Sequence, residues 1–203
     1  MSLKKKQSRQ LSNTSLHPMG SRGDRVLPLS REQRDLLVHS WTCVCEENQK
    51  KALAIAFGHI ILKSINVRRS FGVDRVTTMQ QMYECKTVQR HGLIVWAFFD
   101  KTMHLIRNGQ DELAVVSWRE VGVRHGKVKN IAWDMDSFQL FVKEISEAVC
   151  KSSGANGNEN YEECLDAWTE LLEMVSLEMR HALFRAQRQH VSFVRRNSKT
   201  DSL

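Results

Sequence analysis

Proline is almost absent from this chain of 203 residues. The two prolines, Pro18 and Pro28, lie near the start, and none follows them. Proline lacks a backbone N–H and clashes with the preceding helical turn, so a long stretch without it suits helices. Strand-like alternation of apolar and polar residues is also scarce. We therefore predict an all-α domain that begins near Leu29.

Long apolar runs are missing as well. No stretch of about 18 consecutive apolar residues exists, so we predict no membrane-spanning helix. The basic residues Lys4 to Lys6 are not followed by an apolar stretch, so we expect no secretory signal. The five cysteines are odd in number, and no cluster of cysteines and histidines has zinc-finger spacing, which favours free thiols. Together these features indicate a reducing, cytoplasmic location.

The net charge of +7 is distributed unevenly along the chain. Residues 1–28 contain six basic side chains and one acidic one, and residues 187–203 contain four basic and one acidic. Residues 29–186 are left with a net charge of −1. We predict a disordered basic tail over 1–28, a folded domain over 29–186 and a second basic tail over 187–203.

The location of this charge limits the partners that it predicts. Because the basic residues lie in the predicted tails, they do not indicate a specific nucleic-acid-binding surface. Each lysine of the Lys4 to Lys6 run would add about 1 kcal/mol near an acidic membrane, which gives weak contact at most. Ser12 and Ser198 follow arginines in a pattern typical of basophilic kinase sites, so they are candidates for phosphorylation. The sequence leaves the oligomeric state open.

Local start and stop signals divide the central domain into helices. Ser30 and Gln33 form a predicted capping box for the first helix. The strongest helical pattern runs from Met82 to Ile106, where apolar residues recur at steps of three and four, and Gly109 suits its C-terminal cap. Further helices are predicted over 46–64, over 112–126, after a cap at Asp134, and over 161–186, whereas 65–79 is predicted to be irregular.

Two histidines occupy positions where a polar ring is unexpected. His91 lies on the apolar stripe of the longest predicted helix, and His125 ends a shorter helix among apolar residues. Either one alone would most often be a hydrogen-bonded core or surface residue. Burying an unpaired polar group is costly, however, so we expect two inward imidazoles to bind a common partner. They could share one metal, or a flat metal cofactor held between the two helices.

At this point the central domain resembles the globin family. Phe71 stands 20 residues before His91, where globins keep a phenylalanine packed on the haem, and Phe57 stands 14 residues before Phe71. The segments His91–Val95 and Val121–His125 resemble the distal and proximal haem segments. The extended ends and the last helix look most like those of nematode globins.

The resemblance implies a globin-like fold of about six to eight helices around a pocket for haem b. His125 would be the proximal iron ligand, and its other ring N–H would donate to a carbonyl one turn back, near Val121. His91 would lie on the distal side. The other residues that the resemblance assigns to the haem pocket are Phe57, Phe71, Val88, Val95, Phe99, Val121, Met135 and Phe138.

Two roles remain open for His91. It could hydrogen-bond to oxygen or another diatomic gas bound in the pocket, which would make the protein a reversible gas binder. It could instead ligate the iron directly, and such a six-coordinate globin would favour electron transfer or the sensing of redox state or oxygen. Phe57 offers no hydrogen bond, so in the first case His91 would be the side-chain donor to the gas, and we expect moderate oxygen retention.

The sequence also leaves other classes of function open. A helical interaction module that keeps the fold without haem is the rival class, although such a module needs neither His125 nor Phe71. No dinucleotide-binding, P-loop or serine-hydrolase motif is present, so we predict no enzyme of those classes. Any catalysis would be haem chemistry, such as nitric-oxide oxidation or weak peroxidase activity.

Overall fold

The chain is built from helices packed around one apolar core. The computed structural model describes residues 27–128, 134–154 and 160–200, with side chains described as far as residue 189. These ranges contain no strand, which confirms the predicted all-α class. Their eight helices are α1 (Arg31–Thr42), α2 (Glu46–Lys63), α3 (Ile65–Ser70), α4 (Met79–Glu84), α5 (Lys86–Arg107), α6 (Asp111–Gly126), α7 (Met135–Ser152) and α8 (Tyr161–Thr200).

Short-range side-chain caps define several helix starts. The Ser30 hydroxyl accepts the N–H of Gln33 at 3.1 Å, and the Gln33 side chain accepts the N–H of Ser30 at 2.8 Å. This reciprocal pair is the predicted capping box. At α7 the Asp134 carboxylate accepts the N–H of Ser137 at 2.7 Å, as its position before the helix predicts. Both caps satisfy N–H groups that have no partner within the helix.

The region between α2 and α5 is more helical than its sequence pattern predicts. The prediction that 65–79 is irregular is wrong for α3, which is capped by the Ser64 hydroxyl and ends at Ser70, just before Phe71. Gly72 then adopts a φ of 65°, which a residue with a side chain rarely does. The predicted helix from Met82 to Ile106 is in fact two helices, because the backbone becomes extended at Cys85 between α4 and α5.

Three aromatic side chains form the centre of the core. Trp41, Phe99 and Trp168 come from α1, α5 and α8, and their ring centroids lie 6.0–6.3 Å apart. The Trp168 ring N–H donates to the Ser40 hydroxyl at 2.8 Å, so its polar atom is not left unpaired in the interior. The most extensive packing between helices is that of α6 with α8 and of α2 with α7. This packing holds α5 and α6 on either side of a second, smaller apolar space.

The folded domain begins slightly before the predicted boundary at Leu29. Leu27 is only 5% exposed, and its N–H donates to the Asp111 carboxylate at 2.8 Å. The same carboxylate receives two bonds from the Arg34 guanidinium, at 2.6 and 2.8 Å. These contacts join the start of the domain, α1 and the first turn of α6.

The predicted C-terminal boundary of the domain lies within helix α8. Helix α8 continues as far as Thr200, so the backbone shows no break at the predicted boundary after Ala186. The backbone of Ser198 lies in this helix, but its side chain is outside the described residues, as are Ser12 and the rest of residues 1–26. Among the described residues, no helix is long and apolar enough to cross a membrane.

Candidate functional site

The imidazoles of His91 and His125 face each other across an apolar cavity. His91 lies on α5 and His125 on the last turn of α6, and their ring centroids are 6.5 Å apart with the ring planes at 88°. The cavity between the helices has a volume of about 380 Å³, within the range usual for ligand pockets. It is open towards Ile94 and Val128, which are each about half exposed. The predicted pair is therefore brought together by the fold.

The ring of His125 is oriented by its own helix. Its Nδ1–H donates to the carbonyl oxygen of Val121 at 2.8 Å, one turn back, as the sequence predicts. In the neutral ring this bond places the lone pair on Nε2, the atom through which such a ring would ligate a metal. Burial lowers the pKa of His125, and the bond to the Val121 carbonyl opposes this effect. The ring is thus held neutral at neutral pH.

The surroundings of His91 are aromatic rather than polar. The ring centroids of Phe57 and Phe71 lie 4.6 and 4.9 Å from that of His91, and the two phenylalanines are 5.3 Å apart. Within the part of the chain that the structure describes, no hydrogen bond reaches the His91 ring. Burial, together with the nearby ring of His125, lowers the pKa of His91 to about 4. His91 is therefore a neutral imidazole with an unused lone pair at neutral pH.

The donor set limits which metals the site could hold. Across residues 27–128, 134–154 and 160–189, no group of three or more His, Cys, Asp or Glu side chains is placed to bind a metal ion. A structural zinc ion requires four ligands, and a catalytic one usually takes three from the protein. Two imidazoles instead suit a metal whose remaining ligands come from a flat cofactor, as four of them do in haem.

The geometry of the pair agrees with a shared metal. A metal ion binds an imidazole nitrogen at about 2.0–2.1 Å, so two imidazoles on opposite sides of one ion have ring centres roughly 6–6.5 Å apart. The observed separation is 6.5 Å. The cavity between the rings is lined almost entirely by apolar side chains, which suits the faces of a macrocycle.

Comparisons with known proteins agree on the fold. Neither protein-family models nor curated proteins match the sequence. Among solved structures, a globin-like protein from C. elegans superposes with a TM-score of 0.66 at 18% identity, over 80% of this chain and 92% of that one. A hexacoordinated haem protein from an anhydrobiotic tardigrade superposes with a TM-score of 0.63 at 17% identity, over 77% of this chain and 96% of that one. This chain has the globin fold.

Seven of the ten predicted pocket residues line the cavity of this globin fold. They are Phe57, Phe71, His91, Val95, Val121, His125 and Phe138. These residues come from α2, α5, α6 and α7 and from the end of α3, so the cavity depends on the whole arrangement of helices. Their contact with a cofactor stays a prediction.

The other three predicted residues lie outside the cavity. Phe99 and Val88 are buried in the main core, with exposures of 0% and 4%. A helix turns by about 100° per residue, which puts Phe99 about 80° around α5 from His91 and Val88 about 60° in the same direction. Met135 is 52% exposed, and its sulfur contacts the guanidinium of Arg180 rather than the cavity.

Other cavity residues escaped the sequence prediction. Phe98 lies seven positions after His91, which puts it within about 20° of His91 around the helix. That spacing predicts that Phe98 faces the cavity. The sequence prediction placed Phe99 on the inward face of the helix instead. Tertiary contacts decide most of the others, because apart from Thr87 and Ile94 these side chains come from other parts of the chain than α5. The additional lining residues are Ile60, Val67, Ser70, Thr87, Ile94, Val128, Ser137, Phe141 and Met179.

Proposed function

We propose that the cavity binds haem b and that His125 and His91 ligate its iron from opposite faces. The observation that carries this proposal is the 6.5 Å separation of two neutral, inward imidazoles. The globin fold adds support, since one of the structural neighbours is itself a hexacoordinated haem protein. When bound, haem would supply an iron that changes oxidation state and accepts ligands on its two faces.

The two histidines contribute differently to this site. The bond from Nδ1–H to the Val121 carbonyl at 2.8 Å fixes both the tautomer and the direction of the His125 ring, so His125 is suited to permanent ligation. His91 is held only by aromatic contacts, because none of the described residues hydrogen-bonds to it. His91 is therefore the ligand that leaves the metal at lower cost.

The apolar lining has two effects on the site. Phe57, Phe71, Val95 and Phe138 exclude water from the faces of a flat cofactor, and the low polarity keeps both histidines unprotonated. A six-coordinate site of this kind supports electron transfer or the sensing of redox state. This is the function that the arrangement of the residues supports best.

Reversible binding of oxygen or another diatomic gas is the second candidate. It is favoured by the weak anchoring of His91, since a ring without a hydrogen bond would move aside for a gas more easily. The His91 imidazole would then donate a hydrogen bond to the gas held in the cavity. Phe57 and Phe71, its nearest neighbours, carry no hydrogen-bonding group.

The proposal is tested by absorption spectroscopy of the full chain purified with haem supplied. We expect a Soret band and, in the reduced protein without added gas, sharp and split visible bands. His91→Leu should convert these to one broad band, whereas His125→Leu should weaken haem retention. His104→Leu is the matched control, because His104 is an exposed histidine on the same helix.

Two results would count against the proposal. A protein that is helical by circular dichroism but shows no Soret band would support a haem-free interaction module with the same fold. A broad band in the unmodified protein would show that His91 does not ligate the iron. The site would then be five-coordinate, as the gas-binding candidate requires.

A further inference from the structure

Two cysteine thiols lie in contact inside the core, away from the histidine cavity. Cys150 is near the end of α7 and Cys164 is in the first turn of α8, and their sulfur atoms are 3.1 Å apart. Their exposures are 0% and 3%. The function proposed above uses neither thiol. A contact between two buried thiols is more than core packing requires, because either position would accept any small apolar side chain.

The environment of the pair makes the two thiols unequal. The hydrogen bond with Cys150, helped by the hydroxyls of Ser40 and Ser153, lowers the pKa of Cys164 to about 7 against the opposing effect of burial. The same hydrogen bond, with burial, raises the pKa of Cys150. When Cys164 is ionised, the Cys150 thiol is the group that donates to it. Cys164 is the thiol that forms a thiolate, and the thiolate is the reactive form.

The polypeptide around the pair holds the two sulfurs in place. The Ser153 hydroxyl donates to the carbonyl of Cys150 at 2.9 Å and so fixes the end of α7. On the other side, the Ser40 hydroxyl accepts the ring N–H of Trp168 at 2.8 Å. The sulfurs need to approach by about 1 Å to reach the length of a disulfide bond.

We propose that Cys150 and Cys164 form a reversible disulfide that joins α7 to α8. The oxidant is a small peroxide, whose size is close to that of water and which therefore suits a thiol that is almost buried. The histidine cavity plays no part in this chemistry, so the proposal stands whether or not the chain binds haem.

The reaction balances in two steps. The Cys164 thiolate attacks one oxygen of hydrogen peroxide, the O–O bond breaks, and hydroxide leaves, which converts Cys164 to a sulfenic acid. The Cys150 thiol then loses its proton and attacks the Cys164 sulfur, so that the S–S bond forms and the sulfenic oxygen leaves as water. In total, two thiols and one peroxide give one disulfide and two waters. A dithiol reductant reverses the change by exchange.

The other three cysteines are less well placed than Cys150 to form a disulfide with Cys164. Cys43 and Cys45 are exposed, and Cys85 is half-buried. Cys43 is the nearest rival, because its thiol lies 3.4 Å from the Ser40 carbonyl and 3.6 Å from that of Ser153. Cys150 nevertheless already contacts Cys164, which makes it the resolving thiol.

The test is to expose the full-length reduced protein to a small excess of hydrogen peroxide and to map its cysteines by mass spectrometry without reduction. We expect a peptide linkage between Cys150 and Cys164, a mass lower by two hydrogens, and full reversal by dithiothreitol. The oxidised protein should also unfold at a higher temperature than the reduced one, since the bond closes a loop in the unfolded chain.

Two variants distinguish disulfide formation by this pair from incidental oxidation of other cysteines. Cys164→Ser should leave Cys150 as a free thiol after the same treatment, whereas Cys85→Ser, the matched control, should leave the linkage unchanged. A Cys43–Cys164 linkage would overturn the assignment of Cys150 as the resolving thiol. Five thiols that stay reduced, or a Cys164 that reaches sulfinic acid without any linkage, would overturn the proposal. If Cys164→Ser fails to fold, the linkage map of the unmodified protein still decides.

Discussion

Gly122 on α6 lies directly against the backbone of Met179 on α8, so closely that a β-carbon on Gly122 would overlap the Met179 carbonyl oxygen. Gly126, one turn later, makes a similarly close approach to the carbonyl of Leu183. His125 stands between these two glycines in the sequence. The short distance between α6 and α8 is possible because Gly122 and Gly126 have no side chains. The position of the His125 ring therefore depends on these two glycines.

Gly122→Ala should push α6 away from α8. We expect the free energy of unfolding to fall by about 1–3 kcal/mol, as overpacking of a close contact does, and haem to dissociate faster because His125 moves. Gly92→Ala is the matched control, since its β-carbon would lie 3.4 Å from Ala54 and the change favours the helix. Urea unfolding and haem transfer to a scavenger protein measure the two effects. Equal stability of both variants would contradict the close packing.

Phe57→Tyr should slow the loss of oxygen from the haem-loaded protein. The Phe57 ring lies 4.6 Å from that of His91, so a hydroxyl there would add a donor on the same side of the cavity. A neutral hydrogen bond contributes about 0.5–1.5 kcal/mol, which corresponds to a dissociation rate roughly two to ten times lower.

His91→Leu tests the same hydrogen bonding from the other direction. It should speed oxygen dissociation by a similar factor, as stopped-flow spectroscopy would measure. An unchanged dissociation rate in His91→Leu would show that His91 does not donate to the gas.

The stability of the haem-free protein should fall in mild acid. Burial and the neighbouring His125 lower the pKa of His91 from 6.5 to about 4, so between these values the unfolded chain binds more protons than the folded one. The stabilisation is complete above pH 6.5 and is lost as the pH falls to about 4. One pKa unit corresponds to about 1.4 kcal/mol, which gives a loss of about 3 kcal/mol.

Urea unfolding across that pH window measures this effect. His91→Leu should reduce the dependence on pH, because one of the two buried imidazoles that gain a proton on unfolding is gone, while His125 keeps its smaller part. His104→Leu should keep the slope of the unmodified protein. If the slope is the same in His91→Leu as in the unmodified protein, the buried imidazole is not its source.

Asp111→Ala should destabilise the domain more than the loss of an exposed ion pair does. The Asp111 side chain is 7% exposed and the Arg34 side chain 20%, so the change leaves a mostly buried guanidinium unpaired. Burial on its own raises the pKa of Asp111, but Arg34 and the Leu27 N–H together lower it below its ordinary value. We expect a loss of about 3–5 kcal/mol in the free energy of unfolding.

The exposed pair of Glu147 and Lys151 provides the comparison for Asp111. Glu147→Ala should cost less than about 1 kcal/mol, since the side chains of this pair are 33% and 53% exposed. Thermal unfolding of both variants would check the difference. A cost for Asp111→Ala as small as that for Glu147→Ala would mean that the Arg34 pair does not anchor the start of the domain.

Much of the local structure was predictable because its causes are close in the sequence. The Ser30–Gln33 capping box, the Asp134 cap and the Gly109 turn each depend on residues within one helical turn of each other. The same holds for the His125 ring, which bonds to the Val121 carbonyl on its own helix. The break at Cys85 was missed because Thr78 and Gln81 form an earlier capping box, which starts a short helix of its own.

The sequence by itself determined that the chain is helical, and it identified His91 and His125 as inward rings, because helical period and spacing are local properties. Only the tertiary structure decided which side chains from other helices, such as Phe141 and Met179, complete the cavity, since this depends on how the helices pack. It likewise brought Cys150 to Cys164 and set the 6.5 Å between the histidine rings. Distances between helices follow from packed side chains distant in sequence, and a pattern along one helix does not contain them.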